Sequence, residues 1–207
     1  MKKLTVLMVL SALLFFTIGA SAQDNATENM KTVGGVTYNT FDGTWFLDGE
    51  EAGDNFEDTD LESGFGFYVG GQYWLSDQIG IEAGYDVAKS SDDDFEGSEV
   101  DINLSGPYGK GVYKVNEMIS LNGGLAYYSF TMDQSYQWYN VEWKGNGIGF
   151  LLGGEMTYPI SDKISLIGSG NYRLANIDID KYKEQDVEDT ELNMSGLSLR
   201  AGISYNF

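Results

Sequence analysis

Apolar and polar residues alternate one by one along most of the chain. Toward the C-terminus, Leu197, Leu199, Ala201, Ile203, Tyr205 and Phe207 share one face, and Ser198, Arg200, Gly202, Ser204 and Asn206 the other. Ile164, Leu166, Tyr172 and Leu174 oppose Ser165, Ser169, Asn171 and Arg173. Ile148, Phe150, Leu152, Met156 and Tyr158 oppose Gly147, Gly149, Gly153, Glu155 and Thr157. Ile81, Ala83, Tyr85 and Val87 oppose Glu82, Gly84 and Asp86. A period of two is the signature of a strand with unlike faces. It predicts eight strands, near 31–46, 64–75, 79–90, 99–115, 119–132, 143–158, 164–178 and 191–207. In the fourth, Val100, Ile102 and Leu104 alternate cleanly before Gly106-Pro107-Tyr108-Gly109 disturbs the phase, which predicts a bulge there.

The predicted connections alternate between short (76–78, 116–118, 160–163) and long (47–63, 91–98, 133–142, 179–190). Acids concentrate in the long ones, as in Asp92-Asp93-Asp94-Phe95-Glu96, while the polar faces of the strand centres carry mostly Ser and Gly. A water-soluble sheet would place charge on its exposed face. In lipid the apolar face turns outward, and the sheet must close to pair every backbone group. The predicted fold is therefore all-β: an eight-stranded antiparallel up-and-down transmembrane β-barrel with its short turns on one side. Trp45, Phe46, Tyr73, Trp74, Tyr113, Tyr127, Trp143, Tyr158 and Tyr205 fall near strand ends, where interfacial aromatic girdles form.

Residues 1–22 read as a secretory signal peptide: basic Met1-Lys2-Lys3, an apolar run from Leu4 to Ile18, and Ala20-Ser21-Ala22 as cleavage site. The expected domain is 23–207, exported and inserted in an outer membrane. Composition narrows the function. The chain has no Cys and no His, so disulfides, thiolate metal sites, Cys nucleophiles and His-dependent hydrolysis are excluded. A net charge of −20 argues against nucleic acid as a partner. The 27 glycines, nearly double the usual ~7 %, suit a strongly coiled sheet around a crowded lumen.

The signal peptide, the short-turn and long-loop alternation, and the ending Ile203-Ser204-Tyr205-Asn206-Phe207 resemble the small outer-membrane barrels of the OmpA, OmpX and opacity-protein type. The resemblance covers nearly all of the mature chain. It implies location in the cell outer membrane, a monomeric barrel in lipid, and an assembly signal formed by Ile203, Tyr205 and Phe207 for the barrel insertion machinery. It implies no single activity, because such barrels serve as adhesins, pores, enzymes and scaffolds.

Alternation points Glu82, Asp86, Lys110, Glu155, Arg173 and Arg200 into the lumen, with Gln72, Asn122 and Asn171 beside them. Buried charges must pair or become neutral, so these six are the expected lumen charge network. An eight-stranded barrel is narrow enough to be filled by side chains. The expected function is non-enzymatic: a structural or surface-binding protein acting through acidic extracellular loops. A narrow pore gated by rearranging pairs is the alternative. No apolar path through the lumen is evident, which disfavours a carrier of hydrophobic solutes. Asp92 to Asn103 opens like a calcium loop but lacks the acid at position 12. No cofactor and no dedicated metal site are expected, only an extracellular ligand or loosely held divalent cations at the acidic loops. Tyr136, Trp138 and Tyr139 in the third long loop read equally as a contact surface or as upper girdle.

Overall fold

The computed structural model describes residues 29–54, 59–95, 98–136, 138–182, 185–187 and 189–207. The expected signal peptide lies outside them, as does Glu96. The described strands are β1 (Met30–Thr40), β2 (Thr44–Leu47), β3 (Glu50–Asp54), β4 (Ser63–Trp74), β5 (Ile79–Phe95), β6 (Ser98–Lys114), β7 (Ile119–Ser135), β8 (Asn140–Pro159), β9 (Ile164–Tyr182), β10 (Gln185–Asp186), β11 (Thr190–Asn193) and β12 (Gly196–Asn206). Each long strand pairs antiparallel with the next, in the order β12-β1-β4-β5-β6-β7-β8-β9, and β9 pairs back with β12 to close a ring of eight. β2, β3 and β11 extend the sheet beside the upper part of β9.

Three tight turns close one end with the same chemistry. The amide of the first turn residue donates to the first residue of the next strand: Leu75 to Ile79 (2.8 Å), Val115 to Ile119 (2.9 Å) and Ile160 to Ile164 (2.9 Å). In each, a Ser or Asn side chain accepts from that same residue: Ser76 from Ile79, Asn116 from Ile119 and Ser161 from Ile164. Short polar side chains that bond their own backbone favour such turns.

The outward positions form an apolar belt. Phe65 to Tyr73 on β4, Ile79 to Val87 on β5, Ile119 to Tyr127 on β7, Ile148 to Tyr158 on β8 and Ile164 to Leu174 on β9 bound it. Phe65 is 71 % exposed and Leu152 73 %. Each span is close to the ~9–11 residues a tilted strand needs to cross a bilayer.

Above the belt the polarity inverts while β6, β7 and β9 run on without a break. Inward residues become apolar: Val100, Ile102 and Leu104 on β6, Tyr128, Phe130 and Met132 on β7, and Ala175, Ile177 and Ile179 on β9 are all buried. Outward residues become polar: Glu99, Asp101, Ser129, Thr131, Asp133 and Asp178. The sheet thus leaves lipid and enters water at this height, and the hydrophobic effect changes sides. The bulge expected at 106–109 is absent. Register runs unshifted from Ala83 paired with Gly109 to Asp86 paired with Gly106. What disturbs the phase there is the membrane boundary. Register shifts lie elsewhere: at Trp45/Phe46, at Asp92/Phe95 and at Lys144/Gly145.

Two expected strands are each split. The first breaks at Phe41–Gly43, where Gly43 has a positive φ of 76°, and the eighth breaks at Met194–Ser195. The two breaks bond each other: Asp42 N–H donates to Ser195 O and Gly43 N–H to Asn193 O, both at 2.9 Å. β5 and β7 to β9 run past their predicted ends, so most of the expected long loops are strand. Strands approach closely at Gly66 and Gly106, where a Cβ would stand 1.7 Å from Val87 O and 1.8 Å from Tyr127 O.

Candidate functional site

The interior divides by height. Its lower part, inside the lipid belt, holds the ionisable side chains. Glu82 and Lys110 are directly paired across β5 and β6, with Lys110 Nζ 3.0 Å from Glu82 Oε1. Tyr108 OH donates to the same oxygen at 2.9 Å. Asp86 Oδ2 accepts from Arg200 Nη2 at 2.8 Å across the lumen from β12. The Arg200 guanidinium lies over the rings of Tyr68 (4.9 Å) and Tyr108 (5.1 Å). Glu155 Oε1 is 3.7 Å from Lys31 Nζ. Below them Trp74 carries Lys114 over its ring at 4.6 Å and Lys31 at 5.9 Å.

Of the six charges named from sequence, Glu82 and Lys110 meet, and so do Asp86 and Arg200. Glu155 pairs with Lys31, which the sequence reading missed. Its signal was the alternation Lys31, Val33, Thr37, Asn39 on the least regular strand. Arg173 stands apart. It is 1 % exposed and donates from Nε to Met194 O (2.9 Å) and from Nη2 to Thr40 O (3.2 Å). Those carbonyls belong to the edges of the two strand breaks. Its guanidinium lies between Phe41 (5.1 Å) and Tyr128 (5.6 Å). Arg173 therefore pins the breaks, at the floor of the apolar region, and has no carboxylate contact among the described residues.

Many polar groups of the lower lumen have no protein partner among the described residues. They include both ends of the Gln72 and Asn122 amides, Glu82 Oε2, Asp86 Oδ1, and Arg200 Nε and Nη1. Buried groups of this kind require water. The lower lumen is lined by polar groups.

The upper interior is closed by packing. Phe41, Leu61, Leu104, Phe130, Ile177, Leu192 and Met194 belong to one buried cluster, and Trp45 and Trp143 pack on it. Trp45 and Trp143 stand 5.2 Å apart, and Trp143 and Tyr182 4.1 Å. Leu61 enters on a short turn capped by Thr59, and Ser90 Oγ donates to Asp60 O (3.0 Å) and Ser63 O (2.5 Å) to hold that turn down. The upper interior is apolar, and packed side chains fill it.

The acidic segment after Ser91 is a strand. Asp92 is half-buried and accepts from Asp60 N–H at 3.1 Å, while Asp93 is exposed on the opposite face. Alternation turns adjacent acids such as Asp92 and Asp93 to opposite faces, and no group of three or more acids that could hold a metal occurs among the described residues. On the outer face of the head, Asp101, Asp133 and Glu142 are direct cross-strand neighbours. Partial burial first, then Glu142, raises the Asp133 carboxyl above its ordinary 3.8; Lys144 opposes this and Asp101 adds to it. At the tip of the β7–β8 hairpin, Tyr136 and Tyr139 stack at 4.7 Å and Trp138 is 89 % exposed. At the other end, Ile203, Tyr205 and Phe207 point outward, with Tyr205 and Phe207 edge to face at 5.5 Å.

A closed antiparallel ring with an apolar belt outside and ionisable groups inside defines a membrane-spanning barrel. The chain belongs to the outer membrane protein beta-barrel domain family, whose model matches residues 8–207, and it resides in the cell outer membrane. No curated protein matches the sequence. Among solved structures it is similar in fold to Ail, the attachment invasion locus protein of Yersinia pestis (13 % identity, 87 % of this chain and 99 % of that one, TM-score 0.54). It is similar also to OprG from Pseudomonas aeruginosa (15 %, 86 % and 95 %, 0.54) and to a major outer membrane protein from Thermus thermophilus (14 %, 86 % and 99 %, 0.57).

Proposed function

We propose that the protein is a non-conducting, non-enzymatic barrel that holds a rigid acidic head above the membrane as a contact surface for cationic partners. The buried cluster from Leu104 and Phe130 to Ile177 and Met194 carries this reading. It stoppers the lumen and makes the projecting strands a solid body. Trp138 stands ~20 Å above the belt, at ~3.4 Å per residue along tilted strands, too high for a girdle. A large aromatic so exposed is suited to anchoring a contact. Ail has been solved with the heparin analogue sucrose octasulfate; here the acidic outer face favours the opposite charge. Export on residues 1–22, cleavage after Ala22, and insertion guided by Ile203, Tyr205 and Phe207 belong to the same proposal.

A narrow pore is the second reading, favoured by the polar groups of the lower lumen that have no protein partner among the described residues. Planar-bilayer recording of the refolded protein separates the two. The closed reading expects no stepwise current from protein whose folding is verified by its heat-dependent gel shift. Regular current steps would transfer the assignment to the pore.

A further inference from the structure

The β7–β8 hairpin ends in aromatic residues that the packing of the head does not use. Ser135 and Asn140 form its last rung, and Tyr136 N–H donates to Tyr139 O at 2.9 Å to close the turn. The two tyrosine rings stack across that turn, 4.7 Å apart and 21° from parallel. Cross-strand aromatic pairs stiffen a hairpin, and this one braces the turn that carries Trp138. Trp138 is the most exposed large apolar side chain among the described residues. An indole held bare on a braced turn gains free energy when a partner covers it.

The surface below the tip selects that partner. Glu99 opposes Ser135, one rung beneath the tyrosines. Asp101, Asp133 and Glu142 form a continuous cross-strand row three rungs beneath, ~10 Å lower at ~3.4 Å per residue. All four occupy outward positions. Lys144 pairs with Glu142, and the described salt bridges reach none of Glu99, Asp101 and Asp133. Asp101 and Asp133 are directly opposed like charges, a repulsion that a bound cation relieves. A lipid surface would cover Trp138 but bring its phosphates against these acids. A lysine would pair with the acids, but its ammonium is compact and strongly hydrated. A guanidinium serves both features, because it stacks flat on an indole and donates two parallel bonds to a carboxylate. Alternate residues of an extended chain stand ~7 Å apart on one face, so two arginines separated by one residue reach from the indole to the acids.

We infer that this hairpin tip docks an extended, arginine-bearing segment of a partner protein, one guanidinium over Trp138 and the next among Glu99, Asp101 and Asp133. The inference rests on the acidic contact surface proposed above and adds to it a choice between the two basic side chains.

Fluorescence anisotropy tests it, with the full chain folded in an uncharged detergent and two dye-labelled peptides, Arg-Ser-Arg-Ser-Arg and Lys-Ser-Lys-Ser-Lys. The arginine peptide is expected to bind about fivefold more tightly. Trp138→Ala should bring the two affinities within about twofold of each other, and Trp138→Phe should keep part of the preference. Asp101→Asn with Asp133→Asn should weaken both peptides alike. The ratio of the two affinities is a readout that loss of folded protein cannot shift. Equal binding of the two peptides, or a preference that survives Trp138→Ala, would overturn the inference and leave the cationic contact surface standing. Binding of neither peptide would overturn both.

Discussion

Replacing Arg200 by Met removes the charge and keeps most of the volume. Arg200 and Asp86 are 5 % and 2 % exposed, and Arg200 supplies the protein contact to Asp86 Oδ2, while Asp86 Oδ1 has no protein partner among the described residues. The variant strands a carboxylate inside the barrel, which costs ~3–5 kcal/mol. Loss of the contacts to Tyr68 and Tyr108 adds about 0.5–2 kcal/mol. Polar groups nearby allow water to reach the stranded carboxylate, so the lower end of the combined range, ~3.5 kcal/mol, is expected for the whole change. That is more than two orders of magnitude in the folding equilibrium. The companion Asp86→Asn, Arg200→Met removes the stranded charge and should recover about half of the loss. Urea titration of protein folded into phosphatidylcholine vesicles, followed by Trp fluorescence and by the gel shift, measures both. A loss under ~1 kcal/mol for Arg200→Met, or a double variant as damaged as the sum of the singles, would refute the claim that this pair holds the lower lumen together.

Phe130→Ala, at a position 1 % exposed, should cost ~3–5 kcal/mol in the same titration, because the head is packed like a soluble core. Trp138→Ala should change stability by less than ~0.5 kcal/mol yet reduce binding of proteoliposomes to amine-coated beads; unchanged binding would remove Trp138 from the contact surface. Asp133→Asn tests the acidic row. The raised carboxyl disfavours the fold above its own pKa, and the penalty fades as pH falls through that value toward the ordinary 3.8. The variant should therefore be more stable than the parent by a few tenths of a kcal/mol at pH 7 and equal to it near pH 3. Urea midpoints at the two pH values check this.

The lumen was legible because a strand has only two faces. Once Leu199 and Ile203 are assigned to lipid, Arg200 has to point inward, and the same holds for Glu82, Asp86 and Glu155. Period two does not say which face is buried, and that limit hid the head. Val100, Ile102 and Leu104 alternate as regularly as Leu121, Leu125 and Tyr127, yet the first set lines the interior and the second meets lipid. The switch was visible at Gly106 to Gly109 as a change of phase. A bulge and a change of medium leave the same mark on a one-dimensional pattern, and only the register separates them. Arg173 misled for a related reason: its direction was readable, but its partners are carbonyls freed by strand breaks at Phe41–Gly43 and Met194–Ser195, which no side-chain pattern announces.

The chain contains no cysteine, so a single introduced thiol reports directly on whether the head is solid. Leu104→Cys places one inside the buried cluster, and Trp138→Cys places one at the exposed hairpin tip. Both would be folded into vesicles and treated with a membrane-impermeant maleimide. The closed barrel requires rapid labelling at the tip and none at position 104 until the protein is unfolded. Labelling at position 104 at a rate near that of the tip would show an open path through the head and contradict the account.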